Sequence, residues 1–142
     1  MRRVIALGAV ILVMAGALAY LRDPPWLAHI ESGFDRWQTA EGDFPFRRIA
    51  GHASFFVPSA ATSVVVPVRT TFQPGEPAVG MVFSIDDRAA DEILLTDDTW
   101  HAVILRLPPA GTRRHRRIDI RADRLRADQR SAQIGQIKVF QP

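Results

Sequence analysis

The chain opens on one kind of pattern and continues in another. From Val4 to Leu21 no residue carries a charge, and no polar face recurs at helical spacing. As a helix this run is ~27 Å long, close to the ~30 Å hydrocarbon thickness of a bilayer. Arg22 and Asp23 end it with charge, and Pro24-Pro25 end it sterically, since a helix interior does not accept them. Trp26 to Glu31 predicts a short juxtamembrane turn of helix, with Trp26 at the interface where amphipathic rings collect.

Past Gly33 the apolar residues alternate or cluster in short β-branched and aromatic runs, punctuated by Gly, Pro and Asp. The predicted strands are Phe46 to Ile49, Ala53 to Val57, Ser63 to Thr71, Ala78 to Ile85, Glu92 to Leu95, Trp100 to Leu107, Arg117 to Ala122, and Gln133 to Phe140. Between Trp100 and Leu107, one face carries Trp100, Ala102, Ile104 and Arg106. The other carries His101, Val103, Leu105 and Leu107 and is the more apolar. Ile118 and Ile120 alternate with Asp119 and Arg121, the pattern of a half-buried strand. Asp86 to Asp91 and Thr96 to Thr99 read as polar connections between strands. About eight short antiparallel strands make an all-β sandwich, most simply a jelly roll, behind one N-terminal transmembrane or signal helix. Trp100, Val103, Leu105, Ile118, Ile120 and Val139 are expected in its core, with Asp97-Asp98 and Arg113-Arg114 at the surface.

The division is residues 1–22 as signal anchor or signal peptide, 23–32 as juxtamembrane linker, and 33–142 as the sandwich. Two readings of the first segment stay open. It is an uncleaved anchor, or a secretory signal with Arg2-Arg3 as its basic region and Ala17-Leu18-Ala19 as its cleavage motif. Either sends the rest of the chain out of the cytoplasm, because Arg2-Arg3 hold the N-terminus inside. The expected location is the inner membrane, single-pass, with the C-terminal domain outside the cytoplasm, or secretion if the signal is cleaved.

Composition removes several classes of chemistry. With no cysteine among 142 residues there is no disulfide scaffold, thiolate metal site or thiol nucleophile. The formal net charge is only +3, from 18 basic and 15 acidic residues. The basic residues are almost all arginine, with Lys138 the lone lysine, and arginine holds anions well but shuttles protons poorly.

The succession of motifs resembles a family. Gly33-Phe34 opens the domain, followed by Phe46-Arg47-Arg48, Ala53-Ser54-Phe55-Phe56-Val57-Pro58 and the hairpin Phe83-Ser84-Ile85-Asp86-Asp87-Arg88. Then come Leu94-Leu95-Thr96-Asp97-Asp98-Thr99-Trp100-His101, Leu105-Arg106-Leu107-Pro108 and Arg116-Arg117-Ile118-Asp119-Ile120-Arg121. This order resembles the extracytoplasmic, galactose-binding-like jelly-roll domains of bacterial membrane-anchored cell-envelope proteins and glycosyltransferases. The resemblance implies contact with carbohydrate. Arg48 departs from it, standing where that pattern carries an aromatic.

The candidate chemistry is binding rather than catalysis. Asp86-Asp87, Asp91-Glu92 and Asp97-Asp98 fall in strand connections, where Asp is a turn residue; a glycosidase needs two carboxylates facing each other across a cleft. His29, His52, His101 and His115 share no metal-ligand spacing, and no serine sits in a Gly-x-Ser-x-Gly elbow. No catalytic residue, metal or cofactor is therefore assigned. Trp37, in a polar loop, is the candidate for stacking on a sugar ring, with Arg47 and Arg48 beside it. Arg113, Arg114, Arg116 and Arg117 form the one dense basic run, a candidate contact for phosphate headgroups or anionic envelope polymer. On the exported side nucleic acid is not an expected partner. The expected partners are the membrane, through the N-terminal helix, and a glycan or envelope protein. The function reads as a membrane-tethered extracytoplasmic binding module, or alternatively as a ligand-free accessory domain of a membrane complex.

Overall fold

A computed structural model describes residues 2–22, 24–40, 42, 44–71, 75–109, 111–125 and 130–142. Helix α1 runs from Arg2 to Arg22, and a 3-10 turn follows over Pro25–His29. From Gly8 to Tyr20 every side chain of α1 is exposed, Leu12 by 78% and Val13 by 72%. Among the described residues only Trp26 meets this surface, edge-on against Tyr20.

Among the described residues nine strands then follow: β1 (Glu31–Phe34), β2 (Phe46–Pro58), β3 (Ser63–Arg69), β4 (Val79–Ile85), β5 (Arg88–Leu95), β6 (His101–Arg106), β7 (His115–Ala122), β8 (Ala132–Gly135) and β9 (Lys138–Phe140). All pair antiparallel, in the order β5-β4-β7-β2-β8-β3-β6, with β1 on β2 and β9 on β3. The sheet curls until its end strands β5 and β6 touch, giving two facing layers. The first layer holds β5, β4, β7 and the later part of β2. The second holds the start of β2, then β8, β3 and β6.

Alternation builds the core. Val64, Val66 and Val68 of β3 point inward, as do Met81, Phe83 and Ile85 of β4, Val103 and Leu105 of β6, and Ile118 and Ile120 of β7. Each such side chain contributes roughly 1.5–3 kcal/mol of burial free energy, set against its ordering entropy.

The structure corrects the sequence reading in several places. Phe46 to Ile49 and Ala53 to Val57 are one strand, not two. β2 is continuous through Gly51, whose φ of +100° bends the chain without breaking it. Gln133 to Phe140 is interrupted at Gln136-Ile137, so β8 and β9 are separate. The β4–β5 connection is only Asp86-Asp87, at φ 48° and 67°, the left-handed geometry of a tight hairpin turn. β1 begins at Glu31, within the stretch read as linker.

Val139, expected in the core, is 40% exposed because β9 lies at the sheet margin, paired only with β3. Trp100, also expected there, is half-buried and outside the core cluster. Its alternation partners Ala102, Ile104 and Arg106 are exposed while Val103 and Leu105 are buried, so Trp100 belongs to the outward face. Asp97, Asp98, Arg113 and Arg114 are exposed, as expected.

Candidate functional site

Trp100 precedes β6 and lies over the outside of the second layer. Gly135 lies beneath it. A Cβ there would sit 3.0 Å from the Pro67 Cβ, tighter than ordinary packing, and 3.5 Å from the Trp100 ring, an ordinary contact distance. The Arg69 guanidinium braces the ring 4.6 Å from its centre and stands 5.5 Å from the Phe46 ring. Arg69 is itself fixed by donating from Nε to Gln133 Oε1 at 2.7 Å. Beside Trp100 opens a cleft of about 350 Å³, lined by Phe44, Pro45, Pro67, Gln136 and Lys138 as well. Its walls are two aromatic rings and two prolines, and Phe44 is 74% exposed. The size is at the lower end for small-ligand pockets, and the lining mixes apolar surface with a few polar groups, as such sites do.

Two larger hollows lack this character. One of about 630 Å³ on the first layer is lined by Gly80, Val82, Glu92, Leu94, Arg121 and Asp123 among others, with no aromatic ring. Its Asp123 carboxyl is held below the usual carboxylate range by hydrogen bonds from Arg124 and from the Gly80 N–H. The other, of about 450 Å³, holds Asp86 and Asp87 against Arg113, His115 and Arg117, so its charges largely answer one another.

The residues expected to bind are separated by the fold. Arg47 is buried, and its guanidinium lies between the rings of Phe34, 4.1 Å away, and Trp37, 4.6 Å away. It also donates from both terminal nitrogens to the Glu31 carboxylate, tying β1 to β2. Trp37 is 51% exposed, with one ring face given to Arg47. Arg48, next along the strand, takes the opposite side of the sheet in a row with Gln133 and Arg69. Trp37 and Arg47 stack on each other, while Arg48 lines a separate small hollow with Thr71, Arg130 and Gln133.

The arginine run divides as well. Arg116 is buried and donates to Asp86 Oδ2 at 3.1 Å and to the carbonyls of Pro108 and Pro109. Arg117 donates to Asp119 Oδ2 at 2.8 Å and to Asp87, and the Asp119 hydrogen bond pushes its pKa further up. Arg113 and Arg114 stay exposed in the loop before β7.

Two histidines meet carboxylates. His101 Nε2 lies 3.2 Å from both Thr99 Oγ1 and Asp97 Oδ1, and the Thr99 hydroxyl donates to the same Asp97 oxygen at 2.6 Å. A catalytic base uses one ring nitrogen for the nucleophile and the other for the carboxylate. Here one nitrogen serves both, and the hydroxyl proton is already committed to Asp97. The Thr99 side-chain and backbone hydrogen bonds lower the Asp97 pKa, which marks a capped turn. His52 Nε2 lies 3.0 Å from Asp119 Oδ1, but Ser54 Oγ hydrogen bonds to Ser32 Oγ instead. Among the described residues no group of histidines and carboxylates has the geometry to hold a metal ion.

No family model matches the sequence, and no curated protein matches it. Solved structures do match its fold. The C-terminal domain of EclA, a sugar-binding protein, superposes with a TM-score of 0.52 at 14% identity, over 84% of this chain and 94% of that one. A family two carbohydrate esterase from Clostridium thermocellum, in complex with cellohexaose, matches at 0.51 and 12% identity, over 80% of this chain and 34% of the esterase. A family 35 carbohydrate-binding module from the same organism scores 0.48 at 14% identity, over 82% of this chain and 95% of the module. At these identities the likeness shows the fold alone, a jelly-roll-like β-sandwich, and nothing about residues.

The sequence reading missed Phe44, Arg69 and Gln136 and assigned Trp100 to the core. One signal for Trp100 was present: its alternation with Ala102, Ile104 and Arg106 opposes it to the apolar face. The others come together only through the register of β2, β3 and β8.

Proposed function

We propose that this chain is a non-catalytic module that binds carbohydrate outside the cytoplasm, held to the membrane by α1. The observation that carries the reading is the Trp100 cleft. An indole ring is braced by Arg69 and laid over Gly135 beside an exposed Phe44, with Gln136 and Lys138 at hand. The electron-rich face of an aromatic ring attracts the weakly positive C–H groups of a pyranose, while neighbouring polar groups take its hydroxyls. The shared fold with sugar-binding domains supports the reading without deciding it.

Trp100→Ala is expected to weaken binding of the best ligand on a glycan array by roughly 10- to 30-fold in calorimetric titration, as loss of a central aromatic anchor does. Its melting temperature should fall much less than for a core tryptophan. Undiminished affinity in this variant refutes the assignment of the cleft. Absence of any glycan ligand leaves the accessory-domain reading in its place.

The tether rests on the uncovered apolar surface of α1. Leu27, just beyond it, lines the hollow with Phe56, Arg113 and His115. Trp100 lies at the other end of the strands from that hollow. A reporter enzyme active only outside the cytoplasm, fused after Pro142, is expected to be active. An inactive fusion overturns the proposed topology.

A further inference from the structure

We propose that the ligand is an anionic glycan chain laid along the outside of the second layer, rather than a neutral sugar held in the Trp100 cleft alone. This rests on the carbohydrate reading above and narrows it. The register places the outward residues in rows. Arg106, Ser63 and Phe140 form one, and Ile104, Val65 and Lys138 the next. Ala102 and Pro67 follow, with Gly135 and Phe46 beside them. Last comes Arg69 with Gln133 and Arg48, next to Trp100.

Two properties of these rows matter. The rows at the far end are accessible, with Ile104 58% and Phe140 48% exposed, while Phe46 and Gln133 nearer Trp100 are buried. At ~3.3 Å per residue, the line from Trp100 to Arg106 runs ~20 Å, several times the width of one sugar ring. The charges in the rows are also of one sign. Arg106, Lys138, Arg69 and Arg48 occupy outward strand positions, and no outward strand position there holds Asp or Glu. The outside of the first layer differs, with Asp119 and Glu92 among Arg117 and Arg121. Four cations thus stand at outward strand positions, without strand carboxylates, on the face that carries the aromatic cleft. Lys138 lines the cleft itself, and Arg106 stands exposed at the far end of the line.

The full-length protein in detergent would be titrated with a uronate-bearing hexasaccharide, a phosphorylated hexasaccharide, and the same uronate hexasaccharide with its carboxyls reduced to alcohols. At least one anionic form is expected to bind about 10-fold more tightly than the neutral form, with an advantage that shrinks at high salt. Which anionic form wins identifies the charged group. The variant Arg106→Gln, exposed at the far end of the line and outside the cleft, is expected to keep its melting temperature and neutral-sugar affinity and lose part of that advantage. A disaccharide should bind more weakly than the hexasaccharide. Equal affinity for charged and neutral forms, or for short and long ones, overturns this inference and leaves the carbohydrate reading standing. Binding of none of these glycans overturns both.

Discussion

Phe83→Ala will melt at least ~12 °C below the parent protein, the expression in temperature of ~3–5 kcal/mol lost from a core position. Phe83 is fully buried and is the bulkiest such side chain in the sandwich. It sits on β4 between β5 and β7, opposite Asp91 on one side and Ile120 on the other. Alanine leaves a void that surrounding strands, hydrogen bonded on both edges, cannot collapse to fill. A single domain has only about 5–15 kcal/mol in total, so the variant will be close to unfolding at body temperature. Val82→Ala, one residue away on the outward face and 39% exposed, should shift the melt only slightly. If the two variants melt alike, the inward assignment of β4 is mistaken.

Gly33→Ala is the second large effect, and its cause lies in the backbone. Gly33 has φ +76° and occupies the irregularity where β1 shifts register against β2. A Cβ at that position would stand 2.0 Å from the His52 carbonyl oxygen and 2.8 Å from the Ala53 Cα. Those atoms are held from the other side, where His52 and Ala53 pair with Arg121 and Ile120. β1 must therefore lift away, taking the Glu31–Arg47 ion pair and the Phe34–Phe55 contact with it. The expected cost is about 3 kcal/mol, combining left-handed strain with the steric displacement. Limited proteolysis should show faster cleavage between residues 31 and 40. Parent-like melting and cleavage would mean that β1 is not clamped on β2 as described.

The parts of the fold that were readable from sequence are those where a strand has one wet face and one dry face. β3, β4, β6 and β7 carry that alternation in their own residues, and α1 carries its length and uniform apolarity. β1 was invisible because Glu31-Ser32-Gly33-Phe34 offers a single strongly apolar side chain and owes its place to pairing with β2. The continuity of β2 was hidden because Gly51-His52 looks like a turn, and only the partners on either side keep it extended. For the site, the difficulty was that aromatic and arginine residues look alike in a sequence whatever they touch. The Arg47 guanidinium against the Trp37 ring is a contact that neither residue's place in the sequence shows. Trp100 looked like core, yet it lies outside, against Arg69 and over Gly135, more than thirty residues away in the chain.

β2 belongs to both layers, pairing through Phe46 to Ile49 with β8 and through His52 to Pro58 with β7. Neither layer can therefore unravel while the other persists, because each shares a strand's hydrogen bonds with its neighbour. The sandwich is one cooperative unit. Slow amide exchange in β4 and in β3 will report the same global opening, not two independent ones.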